Sequence, residues 1–379
     1  MPERRPLAVY VHWPFCRSKC PYCDFNSHVE TAVDQDRWRA ALLAELDHCA
    51  NETEGRPAVS LYFGGGTPSR MEPRTVAALI AAVRERWPPV GDLEVTLEAN
   101  PSSAAGLGAF LEAGVNRVSI GVQSLDDERL AFLGRWHSAA EALAAVAEAA
   151  RFPRHSLDLI YGLPGQTVDG WKAELSQALE IAGEHLSVYQ LTVEPGTAFF
   201  AQGVEEAPEA LAATLFEVTQ DLLEGAGLPA YEVSNHARPG AECRHNLFCW
   251  RGGDYVGLGP GAHGRLADDG GGAWASHQIA APDRWLRAVE DQGFGTAKST
   301  RLSPLQRREE ILMTGLRLTE GVEADRFAAA AGQSLEDFLD PARLAPLAEG
   351  GFIEWDGQGL RTTLKGRLCL NAVIGKLLA

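Results

Sequence analysis

Three cysteines stand within eight residues in YVHWPFCRSKCPYCDFNSH (Tyr10–His28): Cys16, Cys20 and Cys23, spaced C-x3-C-x2-C. The other four, Cys49, Cys243, Cys249 and Cys369, lie far away along the chain. Thiolates at this spacing can hold three corners of a cuboidal iron–sulfur cluster, whose full cysteine ligation takes four. Three would leave one iron open to a small molecule, much as a catalytic zinc site keeps a free position. A zinc knuckle or three incidental thiols are the alternatives. A zinc knuckle needs a second Cys/His pair at a defined distance, which here would have to come from far away.

The elements that must position these thiols alternate in texture. Short, mostly apolar runs read as strands: Leu7–His12, Val59–Gly65, Leu93–Asn100, Arg117–Ser124, His155–Leu163 and His185–Glu194. Ala/Leu/Glu-rich stretches between them read as helices, among them Asp36–Ala50, Pro73–Trp87, Glu141–Ala150 and Asp169–Gly183. Strands separated by helices pair in parallel, because parallel neighbours need crossovers. The apolar runs suit strands covered on both faces. That leaves a doubly wound sheet or a full or partial (β/α) barrel. In either, chemistry gathers where strands end. The polar motifs GGGTPS, EANP, GVQS, GLPGQT and VEPGT all follow strands, as does the cysteine segment. Beyond Glu232 the chain turns rich in Gly, His and Asn. From about Ser303 helices precede FIEWDGQGLRTT, a hairpin turning near Asp356–Gly359, and a final helix Leu364–Leu378. This tail reads as a small winged-helix-like domain.

Composition excludes several classes. At 379 residues the chain exceeds one average domain. A net charge of −17 argues against a broad nucleic-acid contact. Residues 301–379 hold 10 Lys/Arg against 11 Asp/Glu, so the tail offers no basic recognition face. No apolar run approaches the ~20 residues of a membrane span. The N-terminal MPERRPLAVYVHWP lacks an apolar h-region and reads as cytoplasmic, without a signal peptide. An odd cysteine count in a reducing compartment points to metal or redox chemistry rather than a disulfide framework.

YVHWPFC-x3-C-x2-CDF after a first strand resembles the radical S-adenosylmethionine (SAM) family, over nearly the whole chain. It is most similar to the branch that holds oxygen-independent coproporphyrinogen III oxidase and the HemW-type haem chaperones. The resemblance implies a partial (β/α)6 TIM-type barrel over residues 1–235, a linking region over 236–300 and a C-terminal winged-helix-like α+β domain over 301–379. It implies a [4Fe–4S] cluster on Cys16, Cys20 and Cys23. SAM would sit on the open iron, where an electron from the cluster splits it into methionine and a 5′-deoxyadenosyl radical. By position in the family, Gly65, Gly66 and Thr67 meet the methionine end of SAM, and Glu98 is the SAM-binding carboxylate. Gln123, Arg135 and Asp158 match polar positions that, in the oxidase, contact a second SAM, and Tyr10 and Tyr22 flank the cluster. Each alone could equally be a strand-end polar residue satisfying the backbone.

Two departures separate the chain from the oxidase. Phe25 stands where the oxidase carries a fourth cysteine, and only fifteen residues precede Cys16. HNLFCW (His245–Trp250) resembles the HNxxYW motif implicated in haem binding, with Cys249 in place of tyrosine. His245, Asn246, Cys249 and Trp250 are therefore the candidate haem residues. Imidazole and thiolate both serve as axial ligands, and indole packs on a porphyrin face. A hydrogen-bonded turn histidine is the other reading of His245. The resemblance implies haem as cargo, acceptor haemoproteins including respiratory membrane proteins, transient membrane association, an electron donor, and a homodimer whose formation or haem release the cluster could control. An oxidase and a cluster-based redox regulator stay open as other functions.

Overall fold

The structure, a computed structural model, describes residues 4–379 except 54 and 269. Eleven strands form one sheet. Numbered along the chain they are β1 (Leu7–Trp13), β2 (Ala58–Gly65), β3 (Pro89–Ala99), β4 (Arg117–Gln123), β5 (Arg154–Tyr161), β6 (His185–Gln190), β7 (Asn235–Ala237), β8 (Asp254–Leu258), β9 (His263–Ala267), β10 (Ala273–Gln278) and β11 (Thr296–Leu302). Their order across the sheet is β11-β10-β9-β8-β1-β2-β3-β4-β5-β6-β7. Neighbours from β8 through β1 to β6 run parallel, and both margins are antiparallel. The six expected strands and their crossover helices are present, as an open, partial barrel.

The strands are not covered alike on both faces, as the apolar runs suggested. They alternate with period two. Leu93, Val95 and Leu97 of β3 join the main apolar core, as do Leu61 and Phe63 of β2 and Val118, Ile120 and Val122 of β4. Residues between them are polar: Ser60 and Tyr62, Glu94, Thr96 and Glu98, Arg117 and Ser119. Helices such as Gln35–Glu52 and Pro73–Arg86 cover the apolar face with Leu42, Leu46, Val76 and Leu79. Truncating a fully buried side chain there, such as Leu97, would cost about 2–5 kcal/mol. The polar face is left for the site. Apart from Glu98, the polar residues named above escaped the sequence reading, because they stand among apolar residues in each strand.

Residues 236–300 carry strands of the main sheet as well as connecting segments. They supply β8 to β10 and most of β11, which widen the main sheet beyond β1. The helix Pro282–Gln292 locks them on, stacking Trp285 against Trp38 with ring centroids 5.3 Å apart. HNLFCW lies on a short helix, Arg244–Trp250. The tail has its own core around Leu312, Val322, Phe327 and Leu360. Its first helix, Pro304–Gly315, opens with a capping box between Ser303 and Gln306. The expected hairpin pairs Ile353–Trp355 with Gly359–Thr362, and Val322–Glu323 adds a third strand. The expected last helix is broken at Cys369, which leaves helical geometry. The break lets Leu370, Val373 and Leu377 form one stripe facing the small core.

Candidate functional site: two adjoining cavities

The first cavity, of about 670 Å³, lies where the parallel strands end, as parallel sheets favour. Cys16, Cys20 and Cys23 line it together with Tyr22, Gly65, Gly66, Thr67, Glu98, Gln123, Arg135 and Asp158. The sequence thus singled out most of its polar wall, and the fold brings those residues together from the loop after β1 and from β2 to β5 with the loops after them. Each thiol has a polar neighbour. Thr67 Oγ1 donates to Cys16 Sγ at 3.3 Å, Arg135 Nη1 to Cys20 Sγ at 3.4 Å, and Ser27 Oγ lies 3.6 Å from Cys23 Sγ. Burial pushes the Cys16 thiol up, and the Thr67 hydrogen bond opposes it. Arg135 Nη2 is anchored on the Gly121 carbonyl at 2.8 Å, while its buried Nε has no partner among the described residues.

Two backbone features shape the wall. Gly65 sits at φ +111°, and a Cβ there would come within 2.6 Å of the His12 ring. Its amide donates to Glu98 Oε2 at 3.2 Å. Gln123, ending β4, is the one non-glycine residue with left-handed φ (71°) among the described residues. Such a conformation is uncommon outside glycine and gathers at functional sites. Two carboxylates face the same space. Burial pushes Glu98 up to about 7, with Tyr62 OH donating to its Oε1 at 2.9 Å and Asp158 adding repulsion. Burial likewise raises Asp158 to about 6, against hydrogen bonds from Ser187 and Ser119.

The second cavity, of about 570 Å³, adjoins the first: Phe25, Gly65 and Glu98 line both. His245, Asn246, Cys249 and Trp250 all line it, with Tyr10, His12, Tyr255, Arg265 and Arg307. The fold therefore unites the HNLFCW residues with β1, β8, β9 and the first helix of the tail. His245 is 8% exposed, and burial lowers its pKa to about 3, so its ring is neutral. Its Nδ1 lies 2.9 Å from Ser60 Oγ, and its amide donates to Glu94 Oε1 at 3.1 Å. Nε2 has no hydrogen-bond partner among the described residues. Trp250 packs under the Arg317 guanidinium, 4.6 Å from the ring centroid, and its buried indole N–H lacks a partner among the described residues. Burial pushes the Cys249 thiol up to about 12, which keeps it protonated at neutral pH.

Not every expected residue sits where the motifs implied. Tyr10 lines the second cavity and not the first, with its hydroxyl 3.0 Å from His12 Nδ1 and its ring stacked on Tyr62. It lies three residues before the end of β1, opposite Tyr62 and Gly257, below the thiol loop. Cys243 is buried against Glu94 rather than in either cavity. Ser60 and Tyr62 were missed, although the alternation in VSLYFGG puts both on one face with Gly64.

The first cavity suits an anionic cluster with a zwitterionic ligand. Its thiols have donors, an orphan arginine N–H awaits an acceptor, and two carboxylates await a cation. The second cavity offers a neutral imidazole nitrogen and aromatic walls. Residues 10–177 match the radical SAM superfamily model, and residues 302–369 match the HemN C-terminal domain model. A cattle relative, "Radical S-adenosyl methionine domain-containing protein 1, mitochondrial", is 42% identical over all of this chain and 88% of its own length. The heme chaperone HemW of Escherichia coli is 36% identical over 99% of this chain and 98% of its own. The solved structure of E. coli coproporphyrinogen III oxidase (HemN) superimposes with a TM-score of 0.82 at 25% identity, covering 99% of this chain and 90% of that one.

Proposed function

The chain belongs to the radical SAM superfamily, in its HemN-like branch alongside the haem chaperone HemW, and from that membership we propose that it is a haem chaperone that also binds SAM and a [4Fe–4S] cluster. The observation that carries the reading is His245: a neutral imidazole with an unbonded Nε2 in an aromatic cavity that shares a wall with the three thiols. Cavities of some hundreds of Å³ with few placed polar groups are typical ligand sites.

In this reading Cys16, Cys20 and Cys23 hold the cluster, and the donors Thr67, Arg135 and Ser27 tune the sulfurs. A cluster bound there supplies low-potential electrons and one iron open to the amino-acid end of SAM. Glu98 takes the SAM ammonium, the Gly65–Thr67 backbone gives it close approach, and Gln123, Arg135 and Asp158 orient the rest. Tyr22 closes the wall beside Cys20. His245 Nε2 takes haem iron, Trp250 packs on the porphyrin, and Asn246 and Cys249 complete the edge. With its hydroxyl accepting from Nδ1–H, Ser60 would hold the tautomer whose Nε2 carries a lone pair. The partners are haem, acceptor haemoproteins including respiratory membrane proteins, an electron donor and a second copy of this chain. We place the protein in the cytoplasm with transient membrane attachment; no described helix is long and apolar enough to cross a membrane.

The likeness to the oxidase structure keeps porphyrinogen decarboxylation as the second reading. Against it, Phe25 replaces the fourth cysteine and stands 60% exposed between the two cavities. One anaerobic experiment separates them. Reconstituted protein is given SAM, reductant and coproporphyrinogen III, then haem and an apo-acceptor. We expect stoichiometric haem binding and transfer without protoporphyrinogen, and His245→Ala should weaken haem binding with cluster absorbance intact. Catalytic protoporphyrinogen formation would make the protein an oxidase.

A further inference from the structure

The second cavity holds one more pair of nitrogen donors that no motif marks. His263 on β9 and His277 on β10 are register partners across an antiparallel strand pair. Side chains so paired share one face of the sheet. Their rings stack with centroids 4.2 Å apart and planes 11° from parallel, and both line the cavity that His245 lines. His12, His28, His185 and His245 each have at least one ring nitrogen in a hydrogen bond. Those of His263 and His277 have no hydrogen-bond partner among the described residues. Burial, then His277 and Arg265, oppose protonation of His263. Stacking of this kind could be had from any aromatic pair. Two imidazoles add lone pairs, which are what a haem iron takes from a protein.

We propose that the His263–His277 pair supplies the second axial ligand to the haem iron: His245 binds from the helix wall, one imidazole of the pair binds from the sheet wall, and the stacked partner braces it. The inference rests on the haem-chaperone reading of this cavity. It gives the carrier a bis-imidazole, six-coordinate iron. Because His263 is exposed whereas His245 is buried, the pair is also the ligand an incoming acceptor can reach and replace.

The test uses the full chain with ferric haem, comparing wild type with H263A, H277A and H263A/H277A by electronic absorption and electron paramagnetic resonance. Wild type should give a low-spin signal. The double variant should turn high-spin and bind haem at least roughly tenfold more weakly, and the single variants should identify the ligating ring. Added imidazole should restore the low-spin spectrum of the double variant, which separates a lost ligand from a damaged fold. A double variant that stays low-spin with unchanged affinity overturns the proposal and leaves the haem reading standing. Wild type that takes up no stoichiometric haem overturns the haem reading itself, and this inference with it.

Discussion

The two cavities share Phe25, Gly65 and Glu98 but are built differently. The thiol cavity is made at strand ends by short motifs that each lie close to their strand. The imidazole cavity is made in the body of the sheet and beside it, from stretches around Tyr10, His245, His263 and Arg307. The first is a site any sheet of this topology offers at its C-terminal edge. The second exists only because β8 pairs with β1 and the helix Arg244–Trp250 packs on the polar face. A cavity of the kind many parallel sheets offer at their strand ends thus adjoins one assembled from distant stretches of the chain, with a carboxylate and a glycine as the party wall.

The sharpest way to break that division is to remove the cluster. Cys16→Ala should abolish cluster assembly, measured as iron and sulfide per chain, because one thiolate of three is lost. Haem affinity, read by titration, should change less than about twofold, since Cys16 lines only the first cavity. Haem binding that disappears together with the iron would mean that the cavities form one site.

The wall itself is the next target. Gly65→Ala puts a side chain at φ +111° and drives a Cβ to within 2.6 Å of the His12 ring. That ring cannot swing away freely, being held by Tyr10 OH at 3.0 Å and the Asn26 carbonyl at 2.9 Å. Backbone strain plus overpacking should destabilise the protein by about 2–4 kcal/mol, seen in denaturant unfolding. Both cluster loading and haem affinity should suffer. Damage to only one ligand would show that the shared wall is not shared in function.

How legible each cavity was follows from the same contrast. C-x3-C-x2-C, GGGTPS and EAN each carry their chemistry within a few residues of a strand end; spacing marked the thiols, and the family resemblance placed the glycine tract and Glu98. Tyr10 was assigned to the cluster's flank by its matching position in the family. Strand geometry carries it about 10 Å back from the end of β1, into the neighbouring cavity. His263 and His277 sit in a Gly-rich stretch, GPGAHGRLADDGGGAWASHQ, whose pairing in β9 and β10 depends on long-range contacts. A single sequence gives no register for such strands. HNLFCW was noticed through its likeness to a motif. That it shares a wall with the thiols could not be read from residues so distant along the chain.

Glu98 offers a test of the shared wall by pH. Its folded pKa of about 7 is raised above the ordinary 4.5. The carboxyl's contribution to stability is therefore present below about 4.5 and is lost as pH rises through about 7. Binding an ammonium group needs the carboxylate, so SAM affinity should rise about tenfold between pH 6 and 8, with a proton released on binding. Glu98→Gln should bind SAM weakly and lose most of this slope, while gaining stability at pH 8. Asp158, at about 6, would supply whatever slope remains at the acid end. A wild type with no pH slope would remove Glu98 from the SAM site.

The smallest change tests the finest detail, the tautomer of His245. Ser60 is fully buried, and its hydroxyl can either accept from Nδ1–H or donate to Nδ1. If it accepts, Nε2 carries a lone pair and can bind iron. If it donates, Nε2 carries the proton and cannot. Ser60→Ala strands a buried polar atom in the first case, costing about 1 kcal/mol, or roughly fivefold in haem affinity. In the second case it frees the ring to adopt the ligating tautomer, and affinity should rise. We expect the fall, with Ser60→Thr near wild type and the iron–sulfur spectrum unmoved in both. A rise would mean that the imidazole is held in the wrong tautomer for a resting ligand, and that the His263–His277 pair carries the iron before His245 does.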